Sequence, residues 1–345
     1  MDIKQCIEQA NSKVVDIFTK GRPVWVDVRP AIEVVPGMEK NLILVAGPPI
    51  AVEDTVFPVK TAICGAAIYE GLADNAEQAW QKVLAGDIRV APAQNYNCAC
   101  GAAMATSATM PVIVCEDRVY HGKGFCVPHP GPNGRVLRWG YYNENVQKDL
   151  EWFRDVYGPA LSTIVRAMGG MDVVSVLAKT AGMGDENHVR QFASSMYCAL
   201  QLLNAGMDCE YAEKKAVDAE LIRNERFFLH VMMAGAEAIM ASAKQVADST
   251  VMVGMGGNGV EFGLQFSGTG NEWFTAPAPK ILGSFLNPSY TKDDVLGFLG
   301  DSCVTEVYGL GGLSAVAGPS FVRLTGGTFE DALDRTQRAR TVSLA

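Results

Sequence analysis

The sequence predicts an α/β fold: an N-terminal α/β layer, a largely helical middle and a glycine-rich α/β C-terminal part. Three observations carry that expectation. In the first third, short continuously apolar runs alternate with helical patterns, as a sheet covered by helices requires. From Asn145 to Lys244 prolines become scarce and the apolar period turns helical. After Ser249 the pattern returns to short β-type runs crowded with glycine. These changes divide the chain at 1–144, 145–248 and 249–345, the last part being expected to pack with the first.

Residues 2–19 read as a helix, with Ile3, Ile7, Val14, Val15 and Phe18 near a 3.6 period and Gly21 as a stop. Pro23–Val28 alternates like a strand, and NLILVA at 41–46 reads as a strand buried on both faces. Helical patterns follow at Lys60–Leu72 and Ala76–Ala85, and PVIVC at 111–115 is another buried strand. Val119–Tyr142, rich in Gly, Pro and β-formers, reads as a hairpin and loop region. Helices are then expected at Val146–Val156, Pro159–Met168, Met171–Thr180, Asp185–Asn204, Ala212–Arg223 and Glu225–Ala243. A last amphipathic helix is expected at Thr328–Arg340.

The 345 residues suffice for roughly two domains. They carry 29 Lys+Arg against 38 Asp+Glu, a net charge of −9. With no Lys/Arg run, a nucleic-acid partner is not expected, because phosphate neutralisation needs clustered positive charge. The start, MDIKQCIEQA, lacks an apolar signal core, and no run reaches the ~20 apolar residues that span a bilayer. Nine scattered cysteines suit reduced thiols better than a disulfide framework. A cytoplasmic protein is the expectation.

Chemistry is expected where the glycines cluster. Gly254, Gly256, Gly257 and Gly259 lead into Ser267-Gly268-Thr269-Gly270, then Gly309, Gly311 and Gly312. Such turns permit close backbone approach and can present N–H groups to an anion. GLGG precedes an expected helix start at Leu313, a further place for a phosphate or carboxylate. For any single glycine a tight turn or strand crossing is the better explanation, and only the set together points to anion binding. The spelling G-x-G-x-x-G at 254–259 leads into a β pattern, so a dinucleotide fingerprint is poorly supported. No Walker motif and no G-x-S-x-G elbow is present.

The run Asp185-Glu186-Asn187-His188-Val189-Arg190 gathers acid, amide, imidazole and guanidinium. On a helix beginning at Asp185, Glu186 and Arg190 share a face, which suits an anionic substrate or simply a surface ion pair. Asp301 and Glu306 stand just before GLGG, as a candidate general base or as helix caps. Arg223–Phe228 and Asn271–Phe274 form further polar clusters beside aromatic residues. His121, Cys126 and His129 are close in sequence but lack zinc-site spacing, and Cys98-x-Cys100 has no matching half, so no metal is expected.

Six segments together give a resemblance. They are NLILVAGPPI at 41–50, KTAICGAAIYEGLA at 60–73, MGDENH at 183–188, NERFFLHVMMA at 224–234, MGGNGVEFGLQFSGTGNEWFTAPA at 255–278 and GDSCVTEVYGLGGLSAVAGP at 300–319. In this order the chain resembles the YlbE/AllG-type, FdrA-associated proteins. One branch of that family is a subunit of oxamate carbamoyltransferase in allantoin catabolism, a route of purine degradation. The resemblance implies a multi-subunit enzyme with an FdrA-like partner and a third small subunit. It would carry out phosphorolysis of a small ureido acid such as oxalurate to oxamate and carbamoyl phosphate. Phosphate is then a co-substrate and no cofactor is needed. By position, the acidic-His-Arg cluster of the family falls on Asp185, Glu186, His188 and Arg190. Its NG turn falls on Asn258 and Gly259, its SGTG on Ser267–Gly270, and its GDS…TE segment on Asp301 and Glu306.

The expected catalytic set is thus Glu186, His188, Arg190, Asp301 and Glu306. The expected anion-binding set is Gly47, Asn258, Gly259, Ser267, Gly268, Thr269, Gly270, Gly311 and Gly312. Two departures stand out. QNYNCACG at 94–101 carries none of the histidines usual in the family, and family chains run further at the C-terminus, so a further segment is expected. The STRT-like phosphate loop of ordinary transcarbamylases is also absent. A non-catalytic assembly subunit and a stand-alone amidohydrolase of cyclic amides remain alternatives.

Overall fold

A computed structural model describes residues 2–131, 137, 140–280, 285, 287–318 and 327–343. The chain opens with α1 (Ile3–Lys20). Strand β1 (Pro23–Pro30) follows and runs directly into the short α2 (Ala31–Val34). β2 is Leu42–Val45, α3 Phe57–Tyr69, α4 Ala76–Leu84 and β3 Arg89–Pro92. Two-residue strands β4 (Cys98–Ala99) and β5 (Ala105–Thr106) precede β6 (Pro111–Asp117) and β7 (Lys123–Cys126). α5 (Glu144–Trp152) continues through a π-helical turn at Phe153–Tyr157 into α6 (Gly158–Ala167). β8 (Met171–Asp172), α7 (Val173–Ala181), α8 (Phe192–Gly206), α9 (Lys214–Arg223) and α10 (Phe227–Ala243) complete the middle.

The helices expected from Met171 and from Asp185 start later than their pattern suggested, and both for tertiary reasons. Met171 and Asp172 pair with Trp25 and Val24 at the edge of the first sheet, so α7 waits until Val173, with Asp172 capping Ser175. The α8 start is treated with the site below. Part of the Val119–Tyr142 region and Pro319 lie outside the described residues. The fold is α/β, with parallel and antiparallel pairs in its sheets.

The first sheet runs β4-β7-β6-β1-β8, antiparallel except for β4 beside β7. Helix α10 lies across β7, β6 and β1. The approach is close because β7 and the turn before it carry glycine. A Cβ on Gly124 would sit 2.2 Å from the Ala234 carbonyl oxygen, and one on Gly122 2.1 Å from that of Ala238. Small residues on the helix meet missing side chains on the strand, so two backbones can touch. The buried cluster around α10 draws Val14 and Trp25 from the N-terminal part, Tyr157 and Leu202 from the middle, and Val253 and Val304 from the tail.

A smaller sheet, β3-β2-β5, has β2 parallel to β3 and buried at every position, as its unbroken apolar run predicts. The tail supplies a four-stranded antiparallel sheet, β11-β10-β9-β12. Its strands are β9 (Met252–Asn258), β10 (Glu261–Phe266), β11 (Phe274–Pro277) and β12 (Leu299–Gly300). The short α11 (Val304–Val307) leads to a 3-10 helix at Gly311–Ala317. That 3-10 segment replaces the regular helix expected from Leu313. α12 (Phe329–Ala339) is capped by Thr328 and Asp331.

The tail docks on the N-terminal part through glycine backbones. Gly47 has φ +84°, and a Cβ there would lie 2.4 Å from the carbonyl carbon of Gly257. Asp301, fully buried, seals this crossing. Its carboxylate accepts from the Gly47 N–H at 2.9 Å, the Gln94 amide at 2.8 Å and the Cys100 N–H at 3.0 Å. Gly47→Ala is therefore expected to cost about 2–5 kcal/mol in urea unfolding, through φ strain plus overpacking. Gly71→Ala is the control, at φ +69° with open space beside it, and is expected to cost about 1 kcal/mol.

Glu237 sits within α10 with both carboxyl oxygens buried and unpartnered. Burial pushes its pKa up to about 8, against the pull of Lys244. The folded chain then holds a proton that the unfolded chain has released above the ordinary carboxylate range. Stability should fall as pH rises from about 5 to about 8. Glu237→Gln is expected to flatten that decline in a pH series of thermal or urea unfolding.

Candidate active site

The segment between α7 and α8 is a folded turn, not the first turn of a helix. Gly184 at φ +95° and Asn187 at φ 63° take left-handed backbone, which ends one helix and prevents the next from starting. α8 consequently begins at Phe192 rather than at Asp185. Asp185 acts from outside the helix. Its Oδ2 accepts from the Ser194 N–H at 2.7 Å and the Ser194 hydroxyl at 3.0 Å, placing negative charge at the positive end of α8. The anion expected at this helix start is the protein's own carboxylate.

The turn closes on itself through Glu186. One carboxylate oxygen accepts from the Arg190 N–H and the other from the His188 N–H at 3.2 Å. The Asn187 N–H donates to the Arg190 carbonyl at 3.0 Å. Arg190 therefore does not pair with Glu186 through its side chain, as a shared helix face would have arranged. Its guanidinium lies 3.7 Å from the Asp185 carboxylate and over the Phe192 ring.

His188 meets Glu306 across 118 residues, with Nδ1 2.8 Å from Oε1. The GLGG turn wraps this carboxylate. The Gly312 N–H donates to Glu306 Oε1 at 2.9 Å, and the Gly311 N–H donates to the Glu186 carbonyl at 2.8 Å. Thr305 donates to Glu306 Oε2 at 2.8 Å. Gly311 must be glycine: a Cβ there would sit 2.0 Å from Glu306 Oε1. The two side chains keep 17% and 20% of their surface, so the pair is reachable. With Nδ1 engaged, Nε2 is the ring atom left to handle a proton.

The electrostatics bind the pair further. Burial opposes the charge on His188, but Glu306 and then Glu186 outweigh it and hold the imidazole above its ordinary range. Burial likewise pushes Glu306 up, yet His188, the Gly312 N–H and Thr305 together bring it below the usual carboxylate value. Burial raises Glu186, with the Arg190 N–H and His188 opposing. An imidazolium flanked by two carboxylates can give up a proton and be reloaded, which is the task of a general acid or base.

The remaining expected site residues are placed elsewhere. Gly47, Asn258, Gly259 and Asp301 meet at the crossing of the tail with the N-terminal part. The Asn258 side chain is fully occupied, donating to the Pro48 carbonyl and accepting from the Val260 and Glu261 N–H groups. Beside this crossing an open cleft of about 490 Å³ is lined by Pro49, Ile50, Ala51, Asp54, Val260 and Glu261. A 70 Å³ apolar cavity adjoins it where parallel β2 and β3 end, the usual ligand side of such strands. Asp301 itself is enclosed, and burial raises its pKa to about 6 against three hydrogen-bond donors.

SGTG is a third and separate place. It lies across from Val251, at the far end of the β9–β10 hairpin from Asn258, about 20 Å away at the rise of a strand. The Ser267 hydroxyl donates to the carbonyls of Ala243 and Val246, and the Gly268 N–H to that of Lys244. Thr269 bonds back to Phe266, and Gly270 merely turns at φ +66°. These donors satisfy the C-terminal end of α10, the negative end of its dipole, which disfavours an anion. The single converging nest expected from the glycines does not form.

Sequence reading passed over Gln94 and Lys244. The Gln94 amide links Asp301 to the Met255 backbone, and the Lys244 ammonium donates to the Gln94 carbonyl at 2.6 Å. Lys244 had a signal: it follows Glu237 by seven residues, at the end of an otherwise apolar helix. His129 and His230 stack edge to face, with ring centroids 4.6 Å apart. Among the described residues no three His, Cys, Asp or Glu side chains are grouped to hold a metal ion, and no helix is long and apolar enough to cross a membrane.

The family profile described as "Oxamate carbamoyltransferase subunit AllG" matches residues 88–302. The chain belongs to the AllG family. The protein named oxamate carbamoyltransferase subunit AllG from Escherichia coli (strain K12) is 33% identical over 324 residues, 93% of this chain and 77% of that one. The uncharacterized protein YahG of the same strain is 33% identical over 340 residues, 98% of this chain and 72% of that one. A crystal structure of a conserved protein of unknown function from Enterococcus faecalis V583 superposes with a TM-score of 0.92 at 33% identity, covering 98% of this chain and 81% of that chain. The AllG-family chain is thus related to a carbamoyltransferase subunit along nearly its whole length.

The pair itself is open to a direct test. Glu306→Gln removes the charge that holds His188 up, so the His188 titration followed by NMR should move to lower pH. The unmutated pair stabilises the fold below the unfolded histidine value of about 6.5 and loses that contribution as pH rises through the raised folded value.

Proposed function

We propose that this chain is a subunit of a carbamoyltransferase-type enzyme and supplies its acid–base pair. The reaction is phosphorolysis of a small ureido acid such as oxalurate. The observation that carries the reading is the contact of His188 Nδ1 with Glu306 Oε1 at 2.8 Å, in a pair still partly open to solvent. Membership of a family described as an oxamate carbamoyltransferase subunit supports that choice of substrate class.

In this reading a phosphate oxygen attacks the ureido carbon. The new C–O bond forms as the C–N bond to oxamate breaks. The departing nitrogen takes a proton from His188 Nε2, and the imidazole recovers one from the attacking hydrogen phosphate. Glu306 fixes the ring and stabilises its charged form, as the carboxylate does in a triad. Arg190 is the cation nearest the pair by sequence, and it serves the substrate carboxylate. Gly311 and Gly312 spend their N–H groups on Glu186 and Glu306. Further phosphate donors therefore come from an FdrA-like partner and a third subunit in the assembled enzyme.

The test is carbamoyl phosphate formation from oxalurate and phosphate with partner subunits present. His188→Asn should lower kcat by about 10²–10⁴-fold, the usual worth of a general acid or base. Glu306→Gln should lower it by a smaller factor and shift the pH profile to lower pH. The internal use of the SGTG and GLGG donors favours a second reading, a non-catalytic assembly subunit. Full turnover of the complex with His188→Asn would establish that reading instead. Hydrolysis of a cyclic amide by the isolated chain without phosphate would point to an amidohydrolase.

A further inference from the structure

The turn that carries His188 also gathers buried polar atoms that no described residue satisfies. Asp185, Asn187 and Gln191 are each 1% exposed. Asp185 Oδ1, Asn187 Oδ1 and both the oxygen and the nitrogen of the Gln191 amide lack a hydrogen-bond partner, and so does Arg190 Nε. Among the described residues no other seven-residue stretch holds more than two such atoms. Folded chains leave few buried polar groups unpaired, because each has lost its water without gaining a partner. Five on one turn, beside a reachable imidazole–carboxylate pair, point to a partner from outside the chain.

The two ends of the turn are drawn together by Ser194, whose hydroxyl lies 3.0 Å from Asp185 Oδ2 and 3.1 Å from the Gln191 carbonyl. The Asn187 N–H closes on the Arg190 carbonyl, and the Asn187 side-chain nitrogen reaches the Asp185 carbonyl at 3.4 Å. Arg190 Nε stands 3.7 Å from Asp185 Oδ1, too far for a hydrogen bond. The Arg190 side chain is 36% exposed, so it can swing aside, as interface side chains commonly do on binding. Chemistry then selects the ligand. The unpaired set holds three acceptor oxygens, one of them a carboxylate's, and two nitrogen donors. A bare oxyanion would meet those oxygens with no hydrogen to offer. A metal cation would leave the two donors unmet. A carboxamide or ureido group brings both parts, N–H groups for the oxygens and a carbonyl for the Gln191 amide nitrogen.

We infer that Gln191 and Asn187 are the residues that recognise the carbamoyl end of a ureido acid. The inference deepens the reaction proposed above and rests on it for bringing that end to His188. The Gln191 amide nitrogen donates to the carbamoyl oxygen, which gains negative charge as phosphate attacks. Gln191 Oε1 accepts one hydrogen of the terminal NH2 and Asn187 Oδ1 the other. Asp185 Oδ1 takes the inner N–H. Arg190 turns from Asp185 toward the substrate carboxylate and so opens the turn. The site is then specific for an unsubstituted carbamoyl group, because a methyl in place of the terminal NH2 leaves two buried oxygens unpaired.

Calorimetric binding to the full chain, without phosphate or partner subunits, tests this apart from turnover. The probes are oxalurate and N-acetyloxamate, which differ only by a methyl in place of the terminal NH2. The unmutated chain should prefer oxalurate by roughly tenfold or more. Gln191→Met, which keeps the side chain's length, should erase that preference by weakening oxalurate. Asn187→Gly, which suits the left-handed backbone there, should reduce it. Because the free chain leaves the Gln191 amide unpaired, Gln191→Met should also raise Tm, by about 1–4 °C. A chain that binds no oxalurate or does not prefer it overturns the inference. So does a Gln191→Met chain that keeps the preference, whatever its Tm. If Gln191→Met fails to fold, the same comparison with Asn187→Gly decides. A preference that depends on Gln191, with no carbamoyl phosphate from the assembled complex, keeps the inference and removes only the reaction. Turnover of oxalurate with a KM indifferent to Gln191→Met does the reverse.

Discussion

One buried carboxylate holds the two ends of this chain together. Asp301 comes from the tail and accepts from the Gly47 loop, from Gln94 and from the Cys100 backbone. Without it, three donors inside the crossing would lose their acceptor, and leaving such groups unpaired is what makes buried polar sites costly. Its burial is possible because Gly47, Gly256 and Gly257 carry no side chains where the backbones cross. α11 begins three residues later and carries Glu306 to His188. The His188–Glu306 pair is thus positioned by a carboxylate that is itself fully buried.

The glycine-rich tail shows how polar donors are allocated. A turn rich in glycine can offer its N–H groups to a ligand, or to the chain itself. In SGTG they satisfy the last carbonyls of α10, and in GLGG they satisfy Glu186 and Glu306. The reason is local: a helix end and a buried carboxylate both need partners, and the nearest backbone supplies them. Surfaces that stay open among the described residues include the cleft between Pro49 and Glu261 and the edge of the His188–Glu306 pair.

Asp185 bonds the first turn of α8 through the Ser194 N–H and hydroxyl, so the turn that carries His188 is tied to the start of that helix.

Local pattern was enough to reveal most elements. The unbroken apolar runs at β2 and β6 are buried as their composition requires, and the helices from α3 to α10 lie close to their apolar periods. Residue type and motif also mark Glu186, His188, Glu306 and the GLGG turn, and the fold brings these residues into contact. Tertiary structure decided which marked residues meet. His188 and Glu306 are 118 residues apart, and no period along the chain records that distance. It also withdrew the α8 start from Asp185: the turn with left-handed backbone at Gly184 and Asn187 is closed by Asp185 and Glu186 on nearby N–H groups, and the tail joins it through the Gly311 N–H on the Glu186 carbonyl and Glu306 on His188. Hydrophobic periodicity is written locally and survives translation into structure; the assignment of hydrogen-bond donors is settled only among neighbours that folding brings together.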